Sequence, residues 1–128
     1  MKGMILATML ALLPFSALAQ APTSQKAKAL EKYNRTGKRE ACISRLHIDG
    51  TQIVDASTIL FFAGGAVYLN ELPQECAFLS PMRGIKYKTS LNQLCNTDII
   101  TVIDTASSSV SELGSCGLGQ FELLGQKK

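Results

Sequence analysis

Cys42–Leu69 reads CISRLHIDGTQIVDASTILFFAGGAVYL, and its side chains change character at every second residue. That period belongs to β-strands, which point successive side chains to opposite faces. Cys42–Ile48 sets Ser44, Leu46 and Ile48 against Arg45 and His47, the pattern of a half-buried strand. Asp49-Gly50 then predicts a tight hairpin turn into a second strand, Thr51–Val54, because primed turns need positive φ. Asp55-Ala56-Ser57 turns the chain again. Thr58–Phe62 (TILFF) is apolar on both faces, so a central position is expected for it. Gly64-Gly65 predicts another hairpin turn into Ala66–Leu69, with Val67 and Leu69 on one face and Tyr68 on the other.

The same period continues downstream. Ile85–Thr89 alternates Ile85, Tyr87 and Thr89 inward with Lys86 and Lys88 outward. Asp98–Asp104 (DIITVID) reads as a second apolar centre, and Gly117–Leu124 supplies a last strand. Between them Thr105–Ser115 is rich in serine and glycine and reads as a loop. Pro73–Gly84 is the one long connection. Its Cys76, Phe78, Leu79 and Pro81 suggest a packed flap stapled by a disulfide. The expected fold is all-β and mainly antiparallel, a small disulfide-braced barrel or sandwich of about six or seven short strands.

Upstream, Met1–Ala19 carries the features of a secretory signal peptide. Lys2 is followed by the apolar run Met4–Leu13, the breaker Pro14 and small residues at Ala17 and Ala19. The run is shorter than the ~20 residues a spanning helix needs, so no transmembrane segment is expected after processing. Residues 20–40 are expected to form a basic leader, poorly ordered or helical, with Thr23 or Ser24 able to cap a short helix. The β-domain is then 41–126. Six basic residues against two acidic ones give the leader a net charge of +4, while eight acidic against four basic give residues 41–126 a net −4. A mature charge of only +2 excludes nucleic acid as an expected partner, but the leader could touch an anionic surface weakly.

Four cysteines, Cys42, Cys76, Cys95 and Cys116, in an exported chain predict two disulfides. No CxxC is present, so a thioredoxin-like motif is missing. Zinc is not expected, since His47 is the one histidine. Loop entropy does not choose among the three pairings. If Cys42 opens the first strand and Cys116 precedes the last, the nested pairing Cys42–Cys116 with Cys76–Cys95 is favoured, and the other two stay open.

No catalytic set emerges. His47 falls on a polar strand face, and Asp98 and Asp104 would stand ~20 Å apart on a straight strand, too far for paired carboxylates at ~5–9.5 Å. Gly117-Leu118-Gly119 lacks the third glycine of a dinucleotide fingerprint. No catalytic, metal or cofactor-binding residue is assigned, and no cofactor is expected. The least bland surface feature is Arg83, Lys86, Tyr87 and Lys88, with Tyr68 near it: aromatics between cations can grip an acidic partner or a glycan.

Taken in order, Val54-Asp55, Thr58–Phe61, Gly64-Gly65, Val67-Tyr68, Asn70, Tyr87–Ser90, Asp98–Val102 and Cys116–Phe121, with all four cysteines, make a pattern over about Cys42–Glu122. It resembles an uncharacterised group of small exported proteobacterial proteins. The resemblance implies export and a β-rich disulfide-bonded domain, and assigns no activity. The reading is a periplasmic or secreted, non-enzymatic binding or accessory module whose partner is an envelope protein or glycan. Its surface is sought at the Cys76–Lys88 flap and the tips at Asp49-Gly50 and Gly64-Gly65. The alternatives are a small inhibitor of an envelope hydrolase and an enzyme whose carboxylates only the fold assembles.

Overall fold

A computed structural model describes residues 24–89, 91–106 and 108–127, with isolated positions 3 and 11. The signal-peptide reading therefore lies outside the described residues. One helix, α1 (Gln25–Leu30), precedes ten strands: β1 (Tyr33–Glu40), β2 (Cys42–Ser44), β3 (Ile48–Asp55), β4 (Thr58–Ala63), β5 (Ala66–Glu71), β6 (Gly84–Tyr87), β7 (Gln93–Cys95), β8 (Ile99–Asp104), β9 (Ser111–Gly117) and β10 (Phe121–Gln126). A five-stranded sheet runs β1-β10-β5-β4-β3, a second pairs β2 with β7, and a third runs β6-β8-β9. Every pairing is antiparallel. The sheets stack as a sandwich and do not close into a barrel.

Alternation sorts the five-stranded sheet into two faces. Ile53, Ile59, Phe61 and Phe121 point inward and meet Ile43, Leu94, Ile100 and Val102 from the smaller sheets and Leu118 from the β9–β10 connection. Phe61 and Phe121 pack edge to face with ring centroids 5.3 Å apart, an arrangement that adds to simple burial. The outward face carries a second cluster, Val54, Leu60, Val67, Leu69 and Leu124, covered by Ala29, Leu30 and Tyr33. This docking sustains a six-residue helix too short to persist alone. Ser24 caps it, its Oγ accepting from the Ala27 N–H at 3.1 Å.

TILFF is central as expected, in β4 with β5 on one side and β3 on the other, and Gly64-Gly65 makes the β4–β5 turn. Four expectations are corrected. Residues 33–40 are a strand, not a disordered or helical leader, because β10 supplies their ladder from Tyr33↔Gln126 to Glu40↔Phe121. Asp49-Gly50 is not a hairpin turn: a 3-10 turn at Arg45–His47 separates β2 from β3, which join different sheets, and the pair lies at a register shift inside β3. The serine-rich stretch ends in a strand, β9, held by β8.

The fourth correction concerns sulfur. The bridges are Cys42–Cys95 and Cys76–Cys116, an interleaved pattern and not the nested one. Nesting assumed that Cys42 opened the first strand beside the last. Instead β1 occupies that place, and Cys42 sits directly opposite Cys95 in the β2–β7 ladder.

Gly119 fixes where β10 begins. A Cβ there would stand 2.1 Å from the Glu71 carbonyl oxygen, so only glycine fits. The fully buried Asn70 side chain closes the contact, donating to the Gly119 carbonyl (2.7 Å) and accepting from its N–H (2.8 Å).

Candidate functional site

The surface expected from sequence is only partly assembled. Lys86 in β6 and Lys88 just after it are exposed and share a groove of about 480 Å3 with Thr97, Asp98, Ile99, Thr101 and Glu112. Lys86 bonds Glu112, which holds that carboxyl below its ordinary value. Arg83 lies at the other end of β6 and pairs with Asp104 at 2.9 Å. Tyr87 and Tyr68 do not join these cations. Both are half-buried against the inner core, Tyr68 from the five-stranded sheet, where burial and then the Glu40 charge push its hydroxyl pKa up. The aromatic-and-cation grip is therefore replaced by a groove of mixed charge.

The other residues weighed for chemistry have structural partners. Asp98 accepts from the Cys95 N–H at 2.7 Å, and Asp55 from the Ser57 N–H at 2.9 Å. The exposed His47 accepts the Gly64 N–H at its carbonyl, 2.9 Å away. Among the described residues, no group of three or more His, Cys, Asp or Glu could hold a metal.

The flap carries the feature that alternation could not disclose. Its backbone is pinned to the β3–β4 turn, Leu72 N–H to Ser57 O at 2.8 Å and Cys76 N–H to Ala56 O at 2.7 Å. Cys76 is buried and bridged to Cys116 on β9, and Leu79 is buried beside it. Between these anchors Phe78 adopts φ +69 and is 59% exposed. A left-handed phenylalanine is disfavoured by about 1–2 kcal/mol, and projecting its ring into water forgoes burial. Strained, exposed apolar residues of this kind concentrate where a partner is met.

Beside Phe78 a cleft of about 550 Å3 runs between Pro73–Ala77 and Gly114–Gly117. Its wall is β9, which has β8 on one side and no strand among the described residues on the other. Such an edge offers main-chain donors and acceptors to an extended chain. The sequence showed Phe78 only as one more apolar residue of a packed flap; its backbone conformation left no signal.

On the outward face a charged network joins residues far apart in sequence. Glu122, 4% exposed, receives both Arg35 Nε (3.0 Å) and Nη2 (2.8 Å), with Arg39 at 3.6 Å. Arg35 also reaches Glu71 at 2.5 Å, as does Lys26 at 2.6 Å. Gly37, at φ +73, lies in the β1 bulge between Arg35 and Arg39. The bulge sets these four-apart arginines opposite Leu124 and Glu122, two residues apart on β10. The Arg35 hydrogen bonds pull Glu122 below its ordinary 4.5 against the opposing effect of burial, and Lys26 does the same first for Glu71.

A depressed folded value stabilises the fold above the unfolded value and is lost as pH falls through the folded one. The melting temperature should therefore fall as pH drops from about 5 towards 3. Glu122→Gln should cost about 2 kcal/mol at pH 6, the scale of a charged hydrogen bond, and flatten that slope. Thermal unfolding at pH 6, 4 and 3 checks this; parallel curves for the two proteins would refute it.

No protein-family model, curated protein or solved structure matches the chain.

Proposed function

We propose that the protein is exported and acts as a non-catalytic binding or accessory module of the cell envelope, meeting its partner through the Cys76–Lys88 flap. The observation that carries this reading is Phe78, held in a strained conformation and presented to solvent between two buried anchors. The cleft and open β9 edge beside it suit an extended polypeptide segment. Export is supported by the signal-like start of the sequence and by two disulfides, which persist in oxidising compartments. Among the described residues no helix is long and apolar enough to cross a membrane. Membership of the small exported group named above belongs to the same proposal.

The test places a photo-crosslinking amino acid at position 78 in the native host, with the exposed Leu46 as the control position. A discrete adduct from position 78 and none from position 46, weakened by Glu substitution of Ala77, supports the flap. No adduct, or the same adducts from both positions, discards it. The rigid projection also fits an inhibitor loop, so the purified protein should be assayed against lysozyme and common proteases, with Phe78→Ala as the inactive counterpart.

A further inference from the structure

The fold joins two basic segments that the sequence keeps at opposite ends. Residues 24–40 carry the leader's six basic residues against two acidic ones, and the chain closes on Lys127 and Lys128. Antiparallel pairing of β1 with β10 brings the leader beside Lys127, whose N–H donates to the Lys32 carbonyl at 3.2 Å. Two of the acids of residues 41–126, Glu71 and Glu122, reach this margin, and the other six face four basic residues elsewhere in the molecule.

The cations of this margin divide into paired and unpaired. Arg35, Arg39 and Lys26 are engaged by Glu71 and Glu122. Among the described residues no carboxylate pairs with Lys28, Lys32, Lys38 or Lys127, all of them exposed. Both fork-shaped guanidiniums are thus engaged internally, and four compact ammonium charges face water. Because of the Gly37 bulge, Lys32 to Lys38 spans about four residues of β10, roughly 13 Å at ~3.3 Å per residue. Lys28 and Lys32 border a groove of about 360 Å3 that Lys38 and Lys127 do not line, so the four do not converge on one pocket. A compact anion would need convergent donors; spread, flexible lysines fit a laterally extended field of negative charge.

We infer that the α1–β1–C-terminal margin is a docking surface for the anionic face of a phospholipid bilayer, bound peripherally and reversibly. It is independent of the flap, which would remain free to meet its own partner. Each lysine near an anionic surface contributes about fivefold in partitioning, so four together supply a few hundredfold, sensitive to salt.

The experiment is vesicle co-sedimentation of the processed, disulfide-bonded protein. Vesicles of phosphatidylcholine with about 30% phosphatidylglycerol, an anionic surface, are compared with pure phosphatidylcholine. Binding to the anionic vesicles alone is expected, falling at least tenfold between about 50 and 300 mM salt. The variant Lys28→Gln/Lys32→Gln/Lys38→Gln/Lys127→Gln should lose it while melting as the parent does, and Lys86→Gln/Lys88→Gln should retain it. Equal binding to neutral vesicles, retention by the quadruple variant, or loss in the Lys86/Lys88 variant overturns the surface. Soluble heparin competing at an equal concentration of negative charge overturns the lipid assignment, marking a general polyanion reader. Flap crosslinking through position 78 stands or falls separately from all of these outcomes.

Discussion

Phe121→Ala is expected to lower the unfolding free energy by about 4 kcal/mol, in the range for removing a buried phenylalanine. Phe121 is fully buried and stands at the junction of the five-stranded sheet with the smaller ones, edge to face with Phe61. It pairs with Asn70 on β5 and Glu40 on β1, so no neighbour can close the space without disturbing a ladder. A domain of this length has a net stability of about 5–15 kcal/mol, and the loss should lower the melting temperature by roughly 15–25 °C. Leu46→Ala, 69% exposed, is the matched control and should change stability by less than about 0.5 kcal/mol. Urea unfolding reads both. A Phe121→Ala loss under about 1.5 kcal/mol would mean that Phe121 is not where the sheets meet.

The paired substitution Cys76→Ala/Cys116→Ala should be as damaging, by a different route. The bridge closes a loop of 40 residues, worth about 4 kcal/mol through the unfolded chain. Cys76 is also buried, so its removal loosens the flap on which Phe78 is held. Limited trypsin digestion of this variant should cut at Arg83, which is half-buried and paired with Asp104 in the native fold. Cys42→Ala/Cys95→Ala removes a loop of 53 residues with a similar entropic loss. It lies in the β2–β7 pair, away from the flap, and should leave Arg83 protected. Equal cleavage in the two variants would separate the bridge from the flap's order.

Where burial drives alternation, the sequence was readable. TILFF announces a strand covered on both faces, and Ile85–Thr89 announces inward Ile85 and Tyr87 with outward lysines; both hold. The export reading at the N-terminus lies outside the described residues. β1 was illegible because YNRTGKRE is almost wholly exposed, and its conformation comes from the β10 ladder and not from any apolar pattern. β9 was hidden for a related reason: SELGSCG has little strand propensity, and pairing with β8 and the bridge at Cys116 hold it extended. With β1 silent in the sequence, Cys42 looks like the start of the sheet, which is why the nested pairing is expected and the interleaved one is found. The candidate site divides the same way. Lys86 and Lys88 were visible as outward cations, whereas the Arg35–Glu122 pair spans 87 residues and Phe78 depends on a backbone angle.

The arrangement that positions the flap is tested most directly by mapping the bridges in the natively purified protein under non-reducing conditions. Cys95 and Cys116 share one tryptic fragment, with no Lys or Arg between them, so a second cut at Asp98 and Asp104 is required. The Cys42 fragment should come away joined to the Cys95 fragment, and the Cys76 fragment to the Cys116 fragment. Recovery of a Cys42–Cys116 pair, or four titratable thiols, would contradict it.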